Sequence, residues 1–188
     1  MKLSKFSMAL FVVAFALPAV ASTHTPSADV LLDGAFARAQ REKKNVLVIF
    51  HASWCGWCKK MDAMLESPEF KRTYENSFVI THVDVLEAAG PQKGLENSGG
   101  EELMYSLGAT KNTGIPFFAI LTPQGVKIGD SLLPNKANMG YPGEPNEIVA
   151  FMALLKKTAP KMTDDDRSTI EAFLKTPASK APGIHNRP

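Results

Sequence analysis

The segment VLVIFHASWCGWC, residues 46–58, contains the features that decide the fold. Its first five residues are apolar and rich in β-branched side chains, which is typical of a strand buried on both faces of a helix-covered sheet. Cys55 and Cys58 follow this run, and the residues after Cys58 have helical character. The segment therefore predicts a central strand that leads through a Cys-Gly-Trp-Cys motif directly into a helix.

The position of the two cysteines predicts their chemistry. The first-turn N–H groups of a helix and its macrodipole stabilise a thiolate there, so we expect the pKa of Cys55 to lie below the usual value of about 8.5. Cys58, three residues later, returns to the same side of the first turn and can reach the sulfur of Cys55. This spacing predicts thiol–disulfide exchange, in which Cys55 attacks and Cys58 resolves the mixed disulfide.

Three other roles for the cysteine pair are weaker. A disulfide closing so small a loop removes little chain entropy and would be a poor structural staple. Haem attachment requires His directly after Cys58, where the chain has Lys59. A zinc site would need two more ligands, and no histidine shows paired ligand spacing; the histidines are His24, His51, His82 and His185. We predict no metal site and no cofactor, and metallochaperone or redox-adaptor work remains the alternative from a different class.

Composition excludes several broad classes. The chain has 188 residues with 2 cysteines, too few for a disulfide-dense scaffold or a four-cysteine cluster from one chain. An apolar fraction of 45% and a charged fraction of 21% are ordinary for globular proteins and exclude a wholly disordered chain. The formal net charge is +2, so we expect no nucleic-acid partner.

Residues 1–21 have the pattern of a cleaved secretory signal peptide. Lys2 and Lys5 precede the unbroken apolar run of residues 8–17, and residues 19–21, Ala-Val-Ala, form a small-x-small cleavage pattern. An uncleaved anchor is the alternative, but ten residues cover only about half of a ~30 Å hydrocarbon core. We therefore predict a periplasmic or secreted protein without stable membrane insertion, in a compartment where disulfides persist.

The remaining pattern predicts one α/β domain with a mixed central β-sheet flanked by helices. We assign residues 22–28 to a flexible leader, 29–160 to the domain and 161–188 to a C-terminal helix and tail. Two interpretations stay open for loop 135–145: it rims the site, or it is only a long connection. Predicted helices cover residues 29–43 (N-cap Asp29), 59–66, a turn or two from Ser67 to Tyr74, 101–107, 146–157 and a Thr163-capped helix to 175; predicted strands cover 46–50, 78–85, 117–121 and a hairpin partner from 126 to 128; residues 86–100 and 131–145 are predicted loops.

With these motifs the chain resembles the thioredoxin superfamily over roughly residues 30–158. The matching features are the apolar strand, the Cys-Gly-Trp-Cys motif and the Gly-Ile-Pro of residues 114–116 before another apolar strand. The stretch FHASWCGWCKKM, residues 50–61, is most similar to exported bacterial thioredoxin-like proteins. The resemblance implies a thioredoxin-like fold and exchange with protein disulfides or dithiols.

The resemblance also implies roles for residues around the cysteines. Trp54 would flank the site as an apolar platform. Independently of the resemblance, Trp57 lies between the cysteines and is expected to be exposed as a surface for partner docking, because an exposed tryptophan beside a reactive thiol is costly to keep without a contact. Pro116 would be a cis-proline facing the two sulfurs, and the backbone of Ile115 would pair with an extended substrate segment.

Two departures from thioredoxin leave the direction of electron flow open. Ile49 stands where thioredoxin has a buried acid, and either His82 or Asp84 on the next strand is a candidate substitute. Trp57 stands where thioredoxin has proline, and the residues between the cysteines affect the redox potential. We favour a reductase supplied by a membrane thiol-transfer partner, with a disulfide oxidase or isomerase as the alternative.

Overall fold

The computed structural model describes residues 25–176 of the chain. The predicted signal peptide, residues 22–24 of the predicted leader and the tail beyond residue 176 lie outside this part. The elements in chain order are helix α1 (Ala28–Glu42), strand β1 (Asn45–His51), helices α2 (Gly56–Leu65) and α3 (Lys71–Ser77), strand β2 (Phe78–Asp84), a 3-10 helix (Pro91–Leu95), helix α4 (Gly100–Ser106), strands β3 (Phe117–Leu121) and β4 (Lys127–Asp130), and helices α5 (Pro145–Thr158) and α6 (Asp164–Leu174).

The four strands form one mixed sheet in the order β2-β1-β3-β4. β1 pairs in parallel with β2 and antiparallel with β3, and β4 is antiparallel to β3. Residues 46–50 of β1 are all buried, because the strand is central and both faces of the sheet are covered. The sheet thus confirms the predicted mixed architecture and the predicted central strand.

Alternation along β1 divides the interior into two cores. Leu47 and Ile49 point to one face, where they pack with residues of α2, α5 and α6. Val46, Val48 and Phe50 point to the other face, where they pack with residues of α1 and α4. The side chain of Ile170 on α6 is fully buried in the first core. The site lies at the end of β1, between these two cores.

Several predicted element boundaries are wrong by one or more residues, and three of these errors, all at the starts of helices, have a clear physical reason. The N-cap of α1 is Ser27, whose Oγ accepts a hydrogen bond from Val30 N, and not Asp29. α2 begins at Gly56, three residues before the apolar pattern that predicted it, because Cys55 itself caps the helix. α3 begins at Lys71, since the residues after Ser67 form a separate turn. The Thr163 cap of α6 is confirmed, with Asp166 completing a capping box.

Between residues 25 and 176, no helix has both the length and the apolar character that crossing a bilayer requires.

Candidate active site

The two cysteines form a disulfide at the start of α2. Cys55 is the N-cap residue, with extended backbone geometry, and its sulfur accepts a hydrogen bond from the backbone N–H of Cys58 at 3.1 Å. Both residues are buried, with relative exposures of 4% for Cys55 and 1% for Cys58. In the reduced state the same first-turn N–H and helix dipole would stabilise a thiolate on Cys55.

The loop before β3 lies against the disulfide. The Ile115–Pro116 peptide bond is cis. The Ile115 carbonyl oxygen lies 3.5 Å from Cys55 Sγ, which has no hydrogen to donate while it is in the disulfide. Ile115 also packs against the small buried cluster of Ala52, Cys55 and Cys58. The structure therefore brings together the cysteines and the Ile-Pro segment that the sequence singled out.

The two tryptophans flank the disulfide and remain largely exposed, at 56% for Trp54 and 55% for Trp57. Trp54 Nε1 donates a hydrogen bond to the Leu86 carbonyl at 2.8 Å. Trp57 stacks on Tyr141, with ring centroids 6.1 Å apart and 24° between the ring planes. The ammonium of Lys60 lies 4.4 Å from the centroid of the Trp57 ring, within cation–π range. Each indole is thus held in place by a named contact although much of its surface is open.

A cleft of about 490 Å³ opens beside the motif. Trp57, Ile115 and Pro116 line one part of it, and residues 136–141 of the β4–α5 loop line another. Loop 135–145 therefore contributes directly to the surface next to the disulfide. A peptide placed along this cleft would contact Trp57 and the backbone of Ile115 together.

A buried glutamate supports the segment before the cysteines. Glu87 is only 6% exposed, and its carboxylate accepts two hydrogen bonds from Ser53, one from the backbone N–H at 2.6 Å and one from Oγ at 2.7 Å. Together with the Trp54–Leu86 hydrogen bond, this contact attaches loop 86–100 to the residues that precede Cys55. No local sequence pattern indicated a role for Glu87, because its partner Ser53 is 34 residues away along the chain.

A polar cluster lies under α2, on the sheet face that contains Ile49. His82 is the register partner of Ile49, and its Nε2 lies 2.9 Å from Asp62 Oδ1. His51 Nδ1 lies 3.7 Å from Asp62 Oδ2, and His51 Nε2 lies 3.2 Å from Asp84 Oδ1. Both residues proposed as substitutes for the missing acid therefore belong to one cluster, which also includes two residues that the sequence reasoning missed.

Burial and mutual charge shift the pKa values in this cluster. Burial acts to raise the pKa of Asp62, but its contacts with His51 and His82 outweigh burial and hold the pKa well below its usual range. Burial acts to lower the pKa of His51, but Asp62 and the charge of Asp84 outweigh it, and the pKa is raised. The pKa of Asp84 is raised, chiefly by burial. The cluster thus favours a charged Asp62 beside a readily protonated His51.

One signal could have pointed to Asp62 from the sequence. Asp62 follows Cys58 by four residues, so both side chains lie on one face of α2, and that face packs on the sheet. A carboxylate at this spacing replaces the apolar residue that an amphipathic helix would place there.

The geometry defines a class of protein: an α/β domain with a mixed sheet and a Cys-x-x-Cys disulfide capping the helix that follows its central strand. The sequence model of the thioredoxin-like family matches residues 29–123, half of the chain. The chain belongs to this thioredoxin-like family, as the sequence motifs had indicated. Its Cys55–Cys58 disulfide has the form that thiol–disulfide oxidoreductases use for exchange.

Individual relatives are distant. A protein disulfide-isomerase of Hordeum vulgare is 27% identical over 144 residues, which cover 76% of this chain and 23% of that protein. The chain thus spans about a quarter of the length of this curated relative. A disulphide isomerase from Xylella fastidiosa Temecula1 has a TM-score of 0.48 and 21% identity, with 87% of this chain and 100% of that chain covered. The C-terminal domain of Neisseria meningitidis DsbD, in the oxidised form, has a TM-score of 0.43 and 22% identity, with 71% and 98% covered.

Proposed function

We propose that the protein is an exported thiol–disulfide oxidoreductase that reduces disulfides in other proteins. The observation that carries the proposal is the Cys55–Cys58 disulfide at the N-terminus of α2, with the Ile115 carbonyl 3.5 Å from Cys55 Sγ. This arrangement combines an activated sulfur, a second sulfur within bonding distance and a backbone segment that can pair with an extended peptide.

The first half of the reaction starts from the reduced protein. The Cys55 thiolate attacks one sulfur of the substrate disulfide, which forms a Cys55–substrate mixed disulfide and breaks the substrate S–S bond. The displaced substrate sulfur leaves as a thiolate and takes up a proton from solvent. Ile115 lies beside Cys55, and this proximity supports pairing of its backbone with the substrate chain during this step.

The second half releases the substrate. The Cys58 thiol loses its proton, and its sulfur attacks Cys55 Sγ, so that the Cys55–Cys58 disulfide forms and the mixed disulfide breaks. The second substrate sulfur leaves and is protonated. In total, two electrons and two protons pass from the dithiol of this protein to the substrate. Cys58 is the less exposed of the two cysteines, at 1% against 4%, and its sulfur can bond directly to Cys55 Sγ, which favours this intramolecular attack.

Turnover as a reductase requires a two-electron donor. An oxidising compartment does not supply one, so the proposal includes a membrane thiol-transfer partner whose dithiol reduces Cys55–Cys58. Export rests on the signal-like pattern of residues 1–21, and the reducing direction rests on the resemblance of the WCGWC motif, with its flanking lysines, to reducing members of the superfamily. In the same view, residues 29–160 are the thioredoxin-like domain and residues from 161 onward extend it.

Isomerisation of protein disulfides is the second candidate. The curated relative with 27% identity is named a protein disulfide-isomerase, and this name favours the alternative. The two functions share the first attack by Cys55. In reduction Cys58 then closes the Cys55–Cys58 disulfide, whereas in isomerisation another substrate thiol attacks the mixed disulfide and the substrate disulfides rearrange. A reduction potential near −270 mV for the Cys55/Cys58 pair would support a reductase, and one near −120 mV would support an oxidase.

Trapping tests the roles of the two cysteines. In Cys58→Ser the mixed disulfide has no resolving thiol, so it should accumulate with a disulfide-bonded protein substrate such as insulin and be visible on a non-reducing gel. Cys55→Ser should trap little. The reduced wild-type protein should precipitate insulin by reducing its disulfides. The opposite trapping pattern would overturn the role assignment, and tight stoichiometric Cu(I) binding without insulin reduction would overturn the enzyme proposal in favour of metal transfer.

A further inference from the structure

The loop between β4 and α5, residues 131–144, is long for a connection between neighbouring elements. It is nevertheless ordered by specific contacts, among them an isolated bridge between Leu132 and Asn138 and a hydrogen bond from Met139 N to Ser131 O at 2.8 Å. Residues from its second half line the cleft beside the disulfide. The order of so long a loop beside the disulfide indicates that it has a role at the site.

Asn138 attaches this loop to the Ile-Pro segment. Its Nδ2 donates hydrogen bonds to the carbonyls of Gly114, at 2.7 Å, and Pro116, at 2.9 Å. Its Oδ1 accepts from Ser131 Oγ at 2.7 Å and from Gly140 N at 3.2 Å. One side chain therefore makes four hydrogen bonds, two toward the Ile-Pro segment and two within its own loop.

These bonds select which part of the backbone remains available to a substrate. The two carbonyls that Asn138 engages flank Ile115 on either side. In the described part of the chain, the N–H of Ile115 donates to no backbone group, and its carbonyl faces Cys55 Sγ. Asn138 thus leaves one residue of main chain, next to the reactive sulfur, for pairing with an extended segment.

The same loop supplies an aromatic wall. Tyr141 stacks on Trp57 with ring centroids 6.1 Å apart, and Lys60 contacts the Trp57 ring as well. Trp57 is therefore held in one orientation while 55% of its surface stays exposed. An apolar surface that is already ordered loses little side-chain entropy when a ligand covers it. The cleft is lined by charges of both signs, from Lys136, Glu144 and Glu147. Glu147 is already engaged, because its carboxylate accepts hydrogen bonds from the backbone N–H groups of Gly143 and Glu144, so the lining charges do not point to an ionic ligand.

We infer that residues 131–144 form the specificity-determining wall of the substrate cleft, which takes an extended polypeptide carrying a large apolar side chain beside its disulfide cysteine. The apolar side chain contacts Trp57 and Tyr141, while the adjacent substrate backbone pairs with Ile115. Asn138 is a positioning residue that fixes the Ile-Pro segment relative to the wall through its hydrogen bonds to Gly114 and Pro116. This inference rests on the proposed exchange function and adds the class of substrate to it.

Two matched peptides test the specificity. Each is closed by one internal disulfide, and they differ only in whether phenylalanine or serine flanks a cysteine on both sides. The reduced wild-type protein should reduce the phenylalanine peptide with a kcat/KM about 10-fold higher, a discrimination within reach of an apolar site. Tyr141→Ala should bring the ratio of the two kcat/KM values to about 2. Tyr141→Phe keeps the ring and should keep the ratio, as should Val149→Ala, an exposed position on α5.

The role of Asn138 is tested by Asn138→Asp. This variant keeps acceptor oxygens for Ser131 and Gly140 but replaces the two N–H donors, so the Ile-Pro segment loses its partner. We expect KM for the phenylalanine peptide to rise about 10-fold, with a much smaller change in kcat. Equal losses in kcat for both peptides, with KM unchanged, would overturn the positioning role.

The outcomes also separate the inference from the function on which it rests. If the wild-type protein reduces insulin and both peptides equally well, or if Tyr141→Ala keeps the full preference in a folded variant, the inferred wall is wrong and the exchange function stands. If reduced wild-type protein reduces neither peptide nor insulin, the proposed function itself fails. The wild-type ratio decides the case even if Tyr141→Ala does not fold.

Discussion

Nε2 of His82 donates a hydrogen bond to Oδ1 of Asp62 at 2.9 Å, which joins the edge strand β2 to the helix that begins with the redox motif. Asp62 follows Cys58 by one helical turn, and His82 is the register partner of Ile49, the position at which thioredoxin has its buried acid. The ionisable groups of this chain therefore enter the space under α2 from the neighbouring strand and from the helix itself.

Replacing Asp62 should lower the pKa of His51. Burial alone would lower that pKa, and the contact with Asp62 and the charges around it, including Asp84, outweigh burial in the native protein. Asp62→Asn removes the negative charge that raises the pKa of His51. The lowering effect of burial is then opposed less, so the His51 titration should move to lower pH. The measurement is the pH dependence of the His51 ring proton shifts by NMR. Asp165→Asn, on the exposed face of α6, is the matched control and should leave that titration in place. An unmoved His51 titration in Asp62→Asn would contradict this account of the cluster.

The same cluster predicts how stability depends on pH. Since the folded pKa of His51 is raised above its ordinary value of 6.5, the stabilisation that it contributes is fully present below pH 6.5. That contribution is lost as the pH rises through the folded pKa, so the free energy of unfolding should fall as the pH increases above 6.5. Denaturant titrations at a pH below 6.5 and at a pH above the folded pKa of His51 measure the change in the free energy of unfolding. His51→Gln should remove most of this pH dependence, and an unchanged pH dependence in His51→Gln would show that His51 is not its source.

In the acidic range the free energy of unfolding should depend on pH with the opposite sign. The folded pKa of Asp62 is lowered from 3.8, so its stabilising contribution is present above pH 3.8 and disappears as the pH falls toward the folded pKa. Acid unfolding of Asp62→Asn should therefore depend less steeply on pH in this range than that of the wild-type protein.

The central part of the fold was predictable because its signal is local. Five consecutive apolar residues before the motif predicted β1, and the structure has the strand as Asn45–His51 with those five positions buried. The start of α1 was not predictable to the residue, because two polar residues compete to cap it. The start of α3 was not predictable because its N-cap residue, Phe70, makes no side-chain capping hydrogen bond and leaves no capping pattern in the sequence. Ser27 caps α1 although Asp29 is also a good capping residue.

The supporting residues of the site were not predictable for a different reason. Asn138 matters through two carbonyls that lie 24 and 22 residues away in the sequence, and Glu87 matters through Ser53, 34 residues away. No periodicity or short motif encodes such contacts, since they exist only once the loops meet around the sheet. Tyr141 was recognisable as an aromatic residue in a long loop, but its stacking on Trp57 was not.

Removing the hydroxyl of Tyr74 should stabilise the protein. Tyr74 is fully buried, and its Oη has no hydrogen-bond partner among the described residues. An unpaired buried polar group costs about 1–3 kcal/mol, so Tyr74→Phe should raise the free energy of unfolding by about 1 kcal/mol. Tyr105→Phe is the control, because the Tyr105 hydroxyl donates to Glu101 Oε2 at 3.0 Å and its loss should be neutral or mildly destabilising. Denaturant unfolding of the two variants compares them directly, and destabilisation by Tyr74→Phe would show that its hydroxyl is paired.

Two glycine substitutions should have opposite effects on stability. Gly129 lies on β4 where the strand meets α5, and a Cβ there would collide with Leu154 Cδ1. Gly129→Ala should therefore cost about 1 kcal/mol, the lower end of the range for overpacking, because the half-buried Leu154 side chain must turn its Cδ1 away from β4. Gly34 lies in the middle of α1, and a Cβ there meets no atom within 4 Å outside the backbone of its own helix. Gly34→Ala should add about 1 kcal/mol because alanine is the better helix former. The comparison requires only the two unfolding midpoints, and a stable Gly129→Ala variant would mean that Leu154 can move aside without loss of packing.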